Sequence, residues 1–275
     1  MKKVMCVFGT RPEAIKMAPV VKAIEQNEHL ESIVAVTAQH REMLDQVLQL
    51  FDIVPDYDLN LMKHGQTLTT ITSGVLAGLE EILQKEQPDL VLVHGDTTTA
   101  MAAALAAFYQ QVEVGHVEAG LRTYDKYSPF PEEMNRQIID KIADYLFAPT
   151  ETSKENIGNK LNKNQKIFVT GNTVIDALKT TVSEGYTHPD LEWADDSRLI
   201  LVTAHRRENL GELMRQIFKA IRRITDEYPD VKVIYPVHLN PKVQEVAKEV
   251  LGNSDRIRLI DPLDVLDFHN FMKRA

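Results

Sequence analysis

Three carboxylates stand where short apolar runs give way to turns, a placement suited to moving protons. Asp96 follows the run Leu90–His94 in His94-Gly95-Asp96-Thr97-Thr98-Thr99. Glu118 ends another run in His116-Val117-Glu118-Ala119-Gly120-Leu121-Arg122, and Glu132 opens a helical stretch in Pro131-Glu132-Glu133-Met134-Asn135-Arg136. Taken singly, each has an ordinary structural use. Asp96 would serve as a helix N-cap; Arg122 would neutralise Glu118 on its apolar strand end; Glu132 and Arg136, four apart on one helix face, would form a surface ion pair. Their convergence on one sheet edge carries the chemical reading, because crowded carboxylates gain proton affinity and suit general acid and base work near neutral pH.

Cations recur in the same kind of turn. The first apolar run leads into Gly9-Thr10-Arg11-Pro12-Glu13-Ala14-Ile15-Lys16, where Thr10 suits a cap and Pro12 a first helical turn. Arg11 and Lys16 then surround a helix N-terminus, whose free amides and dipole favour an anion. Further along, Thr203-Ala204-His205-Arg206-Arg207-Glu208-Asn209 and Val237-His238-Leu239-Asn240-Pro241 follow two more apolar runs. Basic turns opposite an acidic edge suit a sugar nucleotide, with phosphates on one side and the sugar on the other.

The elements that position these turns are short β-branched runs alternating with longer helical patterns, the mark of βαβ units and a parallel sheet. Strands are predicted at Lys3–Phe8, Ile33–Ala38, Leu90–His94, Val112–Val117, Tyr145–Ala148, Lys166–Thr170, Leu199–Thr203, Val231–Pro236 and Ile257–Ile260. That is too many for one compact half. The polar stretch Glu184–Ser197, with Gly185 and Pro189, breaks the periodicity after a helix starting near Val174. Two doubly wound α/β domains are therefore expected, 1–183 carrying the acid/base residues and 184–275 binding the nucleotide. The second has three predicted strands before a helix begun near Asp264, so it reads as incomplete.

Bulk properties narrow the classes. The 275 residues are 44% hydrophobic and 26% charged, an ordinary globular balance. A net charge of -9 without a concentrated basic run argues against nucleic acid. Cys6 is the sole cysteine, set in an apolar run, and reads as a buried thiol in a reducing compartment. With no leader-like or membrane-length apolar segment, a cytoplasmic location is expected. No G-x-G-x-x-G, G-x-x-x-x-G-K-[ST], H-E-x-x-H, paired C-x-x-C or G-x-S-x-G occurs, so neither a metal nor an organic cofactor is expected.

Six segments in order resemble the non-hydrolysing UDP-N-acetylglucosamine 2-epimerases of bacteria: G-T-R-P-E-x-I-K, H-G-D-T, H-x-E-A-G-L-R, P-E-E-x-N-R, G-N-[ST]-x-x-D as Gly171–Asp176, and T-x-H-R-x-E-N. The resemblance implies a GT-B-like pair of Rossmann domains with the active site in the cleft, usually dimeric. The implied reaction is the interconversion of UDP-GlcNAc and UDP-ManNAc, supplying ManNAc for surface polysaccharide. Carried over by motif, Asp96, Glu118, Glu132 and His205 are catalytic, and Arg11, Lys16, Arg136, Arg206 and Phe268 bind substrate. UDP leaves by anti elimination to 2-acetamidoglucal and adds back. Relatives of the Gram-positive type also bind a second UDP-GlcNAc as activator; Gln39, His40, Glu42 and His238 match that pocket, while Gly65 stands where several relatives have Arg. Relatives continue past Asp261–Phe268 into a D-S-G-G-x-Q-E-E segment not found in this sequence, which reads as a C-terminal truncation. Alternatives are a hydrolysing epimerase, a glycosyltransferase of the same fold, or a catalytically inactive binding fragment.

Overall fold

The computed structural model describes residues 1–38, 41–61, 65–158, 164–206 and 209–275, with backbone alone for 41–43. The chain divides into two units, Met1–Ala177 and Leu178–Ala275.

In the first unit, β1 (Lys2–Phe8) is 0% exposed from Met5 to Phe8. A strand buried on both faces belongs inside a parallel sheet covered by helices. It pairs in parallel with β2 (Leu30–Val36) on one side and β4 (Leu90–His94) on the other. The full order is β3 (Tyr57–Asp58), β2, β1, β4, β5 (Glu113–Val117), β6 (Tyr145–Ala148), β7 (Lys166–Val169), all parallel. Strand order reverses between β1 and β4, the switch point at which doubly wound sheets open a crevice at their carboxyl ends. The helices are α1 (Arg11–Glu25), α2 (Arg41–Leu50), α3 (Leu68–Glu86), α4 (Thr98–Tyr109), α5 (Glu132–Ile142), α6 (Glu151–Ile157) and α7 (Val174–Thr181). In α4, Ala100, Ala102, Ala103, Ala104, Ala106 and Ala107 are all buried, and their small side chains let it lie deep within the core.

The second unit holds α8 (Pro189–Trp193), β8 (Arg198–Leu201), α9 (Glu212–Glu227), β9 (Val231–Pro236), α10 (Pro241–Leu251), β10 (Ile257–Ile260) and α11 (Val265–Arg274). Its small parallel sheet runs β10-β9-β8. Alternate residues of β9 serve opposite faces: Val233 and Tyr235 join Met214, Phe218 and Leu251, whereas Ile234 packs with Leu199 and Phe271. Residues 181–183 are bonded into this unit, because Thr181 Oγ1 meets His269 Nδ1 at 2.7 Å and the Ser183 amide donates to Asn270 Oδ1 at 3.0 Å. The division consequently falls inside α7, ahead of the polar stretch at Glu184. No described helix is long and apolar enough to cross a membrane.

Both units are α/β with parallel sheets, as the alternating pattern requires. The strands at Leu90–His94, Tyr145–Ala148, Val231–Pro236 and Ile257–Ile260 have the predicted bounds. The sequence reading misses β3, which is two residues long and pairs only with Ala35 and Val36, too short for alternation to register.

The loop after β5 depends on Gly120, whose φ is +86°. A Cβ there would lie 2.1 Å from the Ser153 carbonyl oxygen, which is backbone and cannot swing away. Gly95, at φ +66°, has open space instead. Gly120→Ala is expected to destabilise the first unit by about 3 kcal/mol, strain and overlap together, and Gly95→Ala by only about 1 kcal/mol. Urea denaturation of both variants checks this; equal losses would contradict it.

Candidate active site

The turn after β4 that carries Asp96 is fastened at three consecutive residues. The Gly95 carbonyl accepts from His116 Nε2 at 2.7 Å, and the Asp96 carbonyl accepts from Asn135 Nδ2 at 2.9 Å. Thr97 donates its hydroxyl to Glu13 Oε1 at 2.7 Å and accepts the Ala100 amide at 3.0 Å. Thr97 is thus the cap of α4, and the Asp96 side chain is left for other work. Behind His116, Asp140 Oδ1 binds Nδ1 at 2.6 Å, and Arg122 bonds the other oxygen of Asp140. Arg122 therefore does not neutralise Glu118, as its place in the motif suggested. It is held by a carboxylate on α5, eighteen residues on.

At the turn after β1, Thr10 is the N-cap of α1 as expected, but the anion seat is already taken. Oε2 of Glu13 accepts the Gly9 amide at 3.2 Å, the Thr10 amide at 2.8 Å and the Thr10 hydroxyl at 2.7 Å. Glu13 is 1% exposed; burial pushes its carboxyl up, against the pull of the Thr10 and Thr97 bonds. The chain's own side chain occupies the amides expected to face a phosphate.

Lys16, one turn along, points its ammonium at Glu118 Oε2, 2.5 Å away. Asn172 Nδ2 donates to the same oxygen at 3.0 Å. His94 Nε2 lies 3.4 Å from it, yet neither ring nitrogen of this buried histidine makes a hydrogen bond. Glu118 itself has a φ of +68°, a left-handed conformation that a glutamate adopts only where its surroundings hold it. Burial pushes its carboxyl up, but His94 and Lys16 outweigh burial and hold it at about 2. Of these, Lys16 has the formed bond.

Asp96 shifts the other way. Burial raises its carboxyl above the ordinary range, Arg136 opposes this, and the nearby charges of Glu132 and Glu118 add to the rise. Arg136 is 7% exposed; its Nε lies 3.1 Å from Glu133 Oε2 and 3.7 Å from Asp96 Oδ2, and makes no hydrogen bond. The ion pair expected between Glu132 and Arg136 is replaced by these two. Glu133, 0% exposed, also accepts the amides of Thr123 and Tyr124 and the Gln137 side chain. Glu132 is left half-buried beside Asp96.

Six predicted residues of the first unit, Arg11, Lys16, Asp96, Glu118, Glu132 and Arg136, thus stand on elements that start at one sheet edge. In the second unit, His205 and Arg206 are exposed after β8, and His238 is exposed after β9. The rings of His205 and His238 stack with centroids 5.3 Å apart. Tyr235, buried beneath, donates its hydroxyl to the Ala204 carbonyl at 2.6 Å and so fixes the turn before His205. Phe268 is half-buried in α11. Gln39, His40 and the side chain of Glu42 lie outside the described residues. Among the described residues no cluster of histidine, cysteine and carboxylate side chains could hold a metal ion.

The sequence reading passed over Glu13, His94, Thr97, Asn135 and Asn172. All five sit inside the quoted motifs, and that membership is the one signal by which they could have been found.

The family model for UDP-N-acetylglucosamine 2-epimerase matches residues 22–275. The UDP-N-acetylglucosamine 2-epimerase of Bacillus subtilis is 60% identical over 273 residues, 99% of this chain and 72% of that relative. A solved chain from Listeria monocytogenes superposes with a TM-score of 0.92 at 58% identity, covering 100% of this chain and 73% of that one. The Neisseria meningitidis UDP-GlcNAc 2-epimerase, solved with UDP-GlcNAc bound, aligns with a TM-score of 0.87 at 47% identity, covering 99% of this chain and 76% of its own. On this sequence, fold and site, the chain belongs to the UDP-N-acetylglucosamine 2-epimerase family of enzymes.

Proposed function

We propose that the chain interconverts UDP-GlcNAc and UDP-ManNAc by eliminating UDP across C1 and C2 and adding it back. The observation that carries this reading is the gathering of Asp96 and Glu118 at one sheet edge, with Lys16 and Asn172 bonded to Glu118 and Arg136 3.7 Å from Asp96, in a chain of this family. The surroundings hold the Glu118 carboxyl low and push that of Asp96 up. Pairs of groups whose surroundings push them apart are the natural base and acid of one reaction. C2 of the sugar has no neighbouring carbonyl, so loss of its proton must be coupled to departure of the diphosphate. In the forward direction the ionised Glu118 takes the C2 proton. The C–H pair becomes the C1–C2 double bond of 2-acetamidoglucal, and the C1–O bond breaks toward UDP. UDP then adds back while Asp96, whose proton affinity burial and the charge of Glu132 raise, delivers a proton to the other face of C2. Glu118 releases the abstracted proton to solvent and Asp96 takes one up from it, which resets both groups.

Cations supply the remaining need, stabilising charge on the leaving diphosphate. Arg136 suits this, since its buried Nε lacks a hydrogen bond in the ligand-free protein. Arg11, His205 and Arg206 are assigned to the same task, and Phe268 to the nucleotide. Lys16 is assigned to Glu118, where its ammonium already is. UDP-ManNAc is the donor form that a polysaccharide-building transferase would consume. Regulation by a second UDP-GlcNAc and assembly as a homodimer extend the proposal; the stacking of His238 on His205 supports the first of these, by setting a regulatory contact against a substrate contact.

Incubation with UDP-GlcNAc in D2O, followed by proton NMR, should give UDP-ManNAc with deuterium at C2. Release of free sugar would indicate hydrolysis instead. Asp96→Asn, Glu118→Gln and Glu132→Gln should each lower kcat by about two to four orders of magnitude with folding intact. A wild-type rate in any one removes that residue from the mechanism. The pH profile follows from the two shifts. Glu118 stays ionised down to about 2, so the rate should not fall as pH drops through 4.5, the ordinary glutamate value. It should fall on the alkaline side as Asp96 loses its proton, at a pH above the ordinary aspartate value of 3.8. An acid limb near 4.5 would rule out Glu118 as the base.

A further inference from the structure

Glu13 lies at the switch point between β1 and β4, and its two oxygens serve different turns. Oε2 collects the amides of Gly9 and Thr10 and the Thr10 hydroxyl, which is all that ending α1 requires. Oε1 reaches 84 residues along the chain to the Thr97 hydroxyl at 2.7 Å. That second bond is surplus to both helix ends, because α4 is capped by the same hydroxyl accepting the Ala100 amide. Its effect is to tie the β4 turn to the β1 turn.

We propose that Glu13 is a positioning residue for the reaction, holding Thr97 and with it the backbone that aims Asp96. Three residues later on α1, Lys16 holds Glu118 at 2.5 Å. Residues three apart share a helix face, so one face of one helix sets both reacting carboxylates, Asp96 through Glu13 and Glu118 through Lys16. Gly95 and Asp96 are fastened by His116 and Asn135, and Thr97 is the third point that stops the turn from pivoting. This inference rests on the epimerase reading above and adds the device that registers the acid against the base.

The test is a double-mutant cycle read by kinetics and by hydrogen exchange. Glu13→Gln leaves one acceptor oxygen where four donors converge, and Thr97→Val removes the hydroxyl. Each should lower kcat roughly ten- to a hundredfold while KM moves no more than about twofold, the pattern of a misaimed group. The double variant should be no worse than the more damaged single one, and Thr97→Ser, which keeps the hydroxyl, should restore kcat to within about twofold of wild type. Amide exchange at Gly95, Asp96 and Thr97 should quicken in Glu13→Gln while Met5–Phe8 of β1 stay protected. Additive losses in the cycle, or unchanged exchange across the turn, would overturn the inference. The exchange arm needs no turnover, so unchanged exchange across the turn sinks the Glu13 tie by itself, whereas failure of wild-type protein to epimerise sinks the functional reading on which the positioning role rests.

Discussion

The site depends on the bond between Lys16 and Glu118. Both side chains are largely removed from water, 23% and 12% exposed, and a partly buried charge pair is kept only where hydrogen bonds offset desolvation. Here Asn172 supplies a further donor, and Lys16, Asn172 and His94 all lie close to Oε2. The backbone of Glu118 is in the left-handed region, so the strand ends abruptly and the carboxylate is presented at the sheet edge. If the ammonium were withdrawn, the pull of His94 alone would oppose burial, and the Glu118 carboxyl would move up from its present low position.

That contact in turn rests on the order of the strands. With β1 beside β4 and β5 next to it, the helix leaving β1 reaches across the carboxyl ends of both neighbours. The Ala-rich α4 lies close against the sheet and brings the Asp96 turn with it. Behind the turn, Arg122 and His116 both make charge-assisted bonds to the Asp140 carboxylate, and the other ring nitrogen of His116 meets the Gly95 carbonyl. Such bonds are stronger than neutral ones and fix direction as well as distance. The two carboxylates therefore differ in environment rather than in kind: Glu118 is bonded to a cation, whereas Asp96 is pushed up by burial and by the charges of Glu132 and Glu118 against the pull of Arg136.

Much of this architecture was legible in the residues. Short apolar or β-branched runs marked β4, β6, β9 and β10; β4 is mostly buried and ends abruptly at Gly95, whereas Lys232 and Arg258 interrupt β9 and β10 without hiding their pattern. The two-residue β3 has no such run. Asp96 and Glu118 could be singled out because a carboxylate at the end of an apolar strand is conspicuous. Their partners could not. Lys16 and Glu118 lie 102 residues apart, and the near choices, Arg122 for Glu118 and Glu132 for Arg136, lost to Asp140 and Glu133. Spacing along a chain reports which residues share an element, whereas pairing is decided by which elements the fold sets side by side. Glu13 illustrates the same limit, since its capping role is local and its bond to Thr97 is not.

The most direct measurement is a carboxyl-carbon NMR titration of the ligand-free protein, with Glu118→Gln and Asp96→Asn used to assign the two signals. Opposed environments require Glu118 to titrate well below the ordinary glutamate range, near 2, and Asp96 above the ordinary aspartate value. Two carboxylates titrating together, or Glu118 above Asp96, would contradict the division of the site into base and acid.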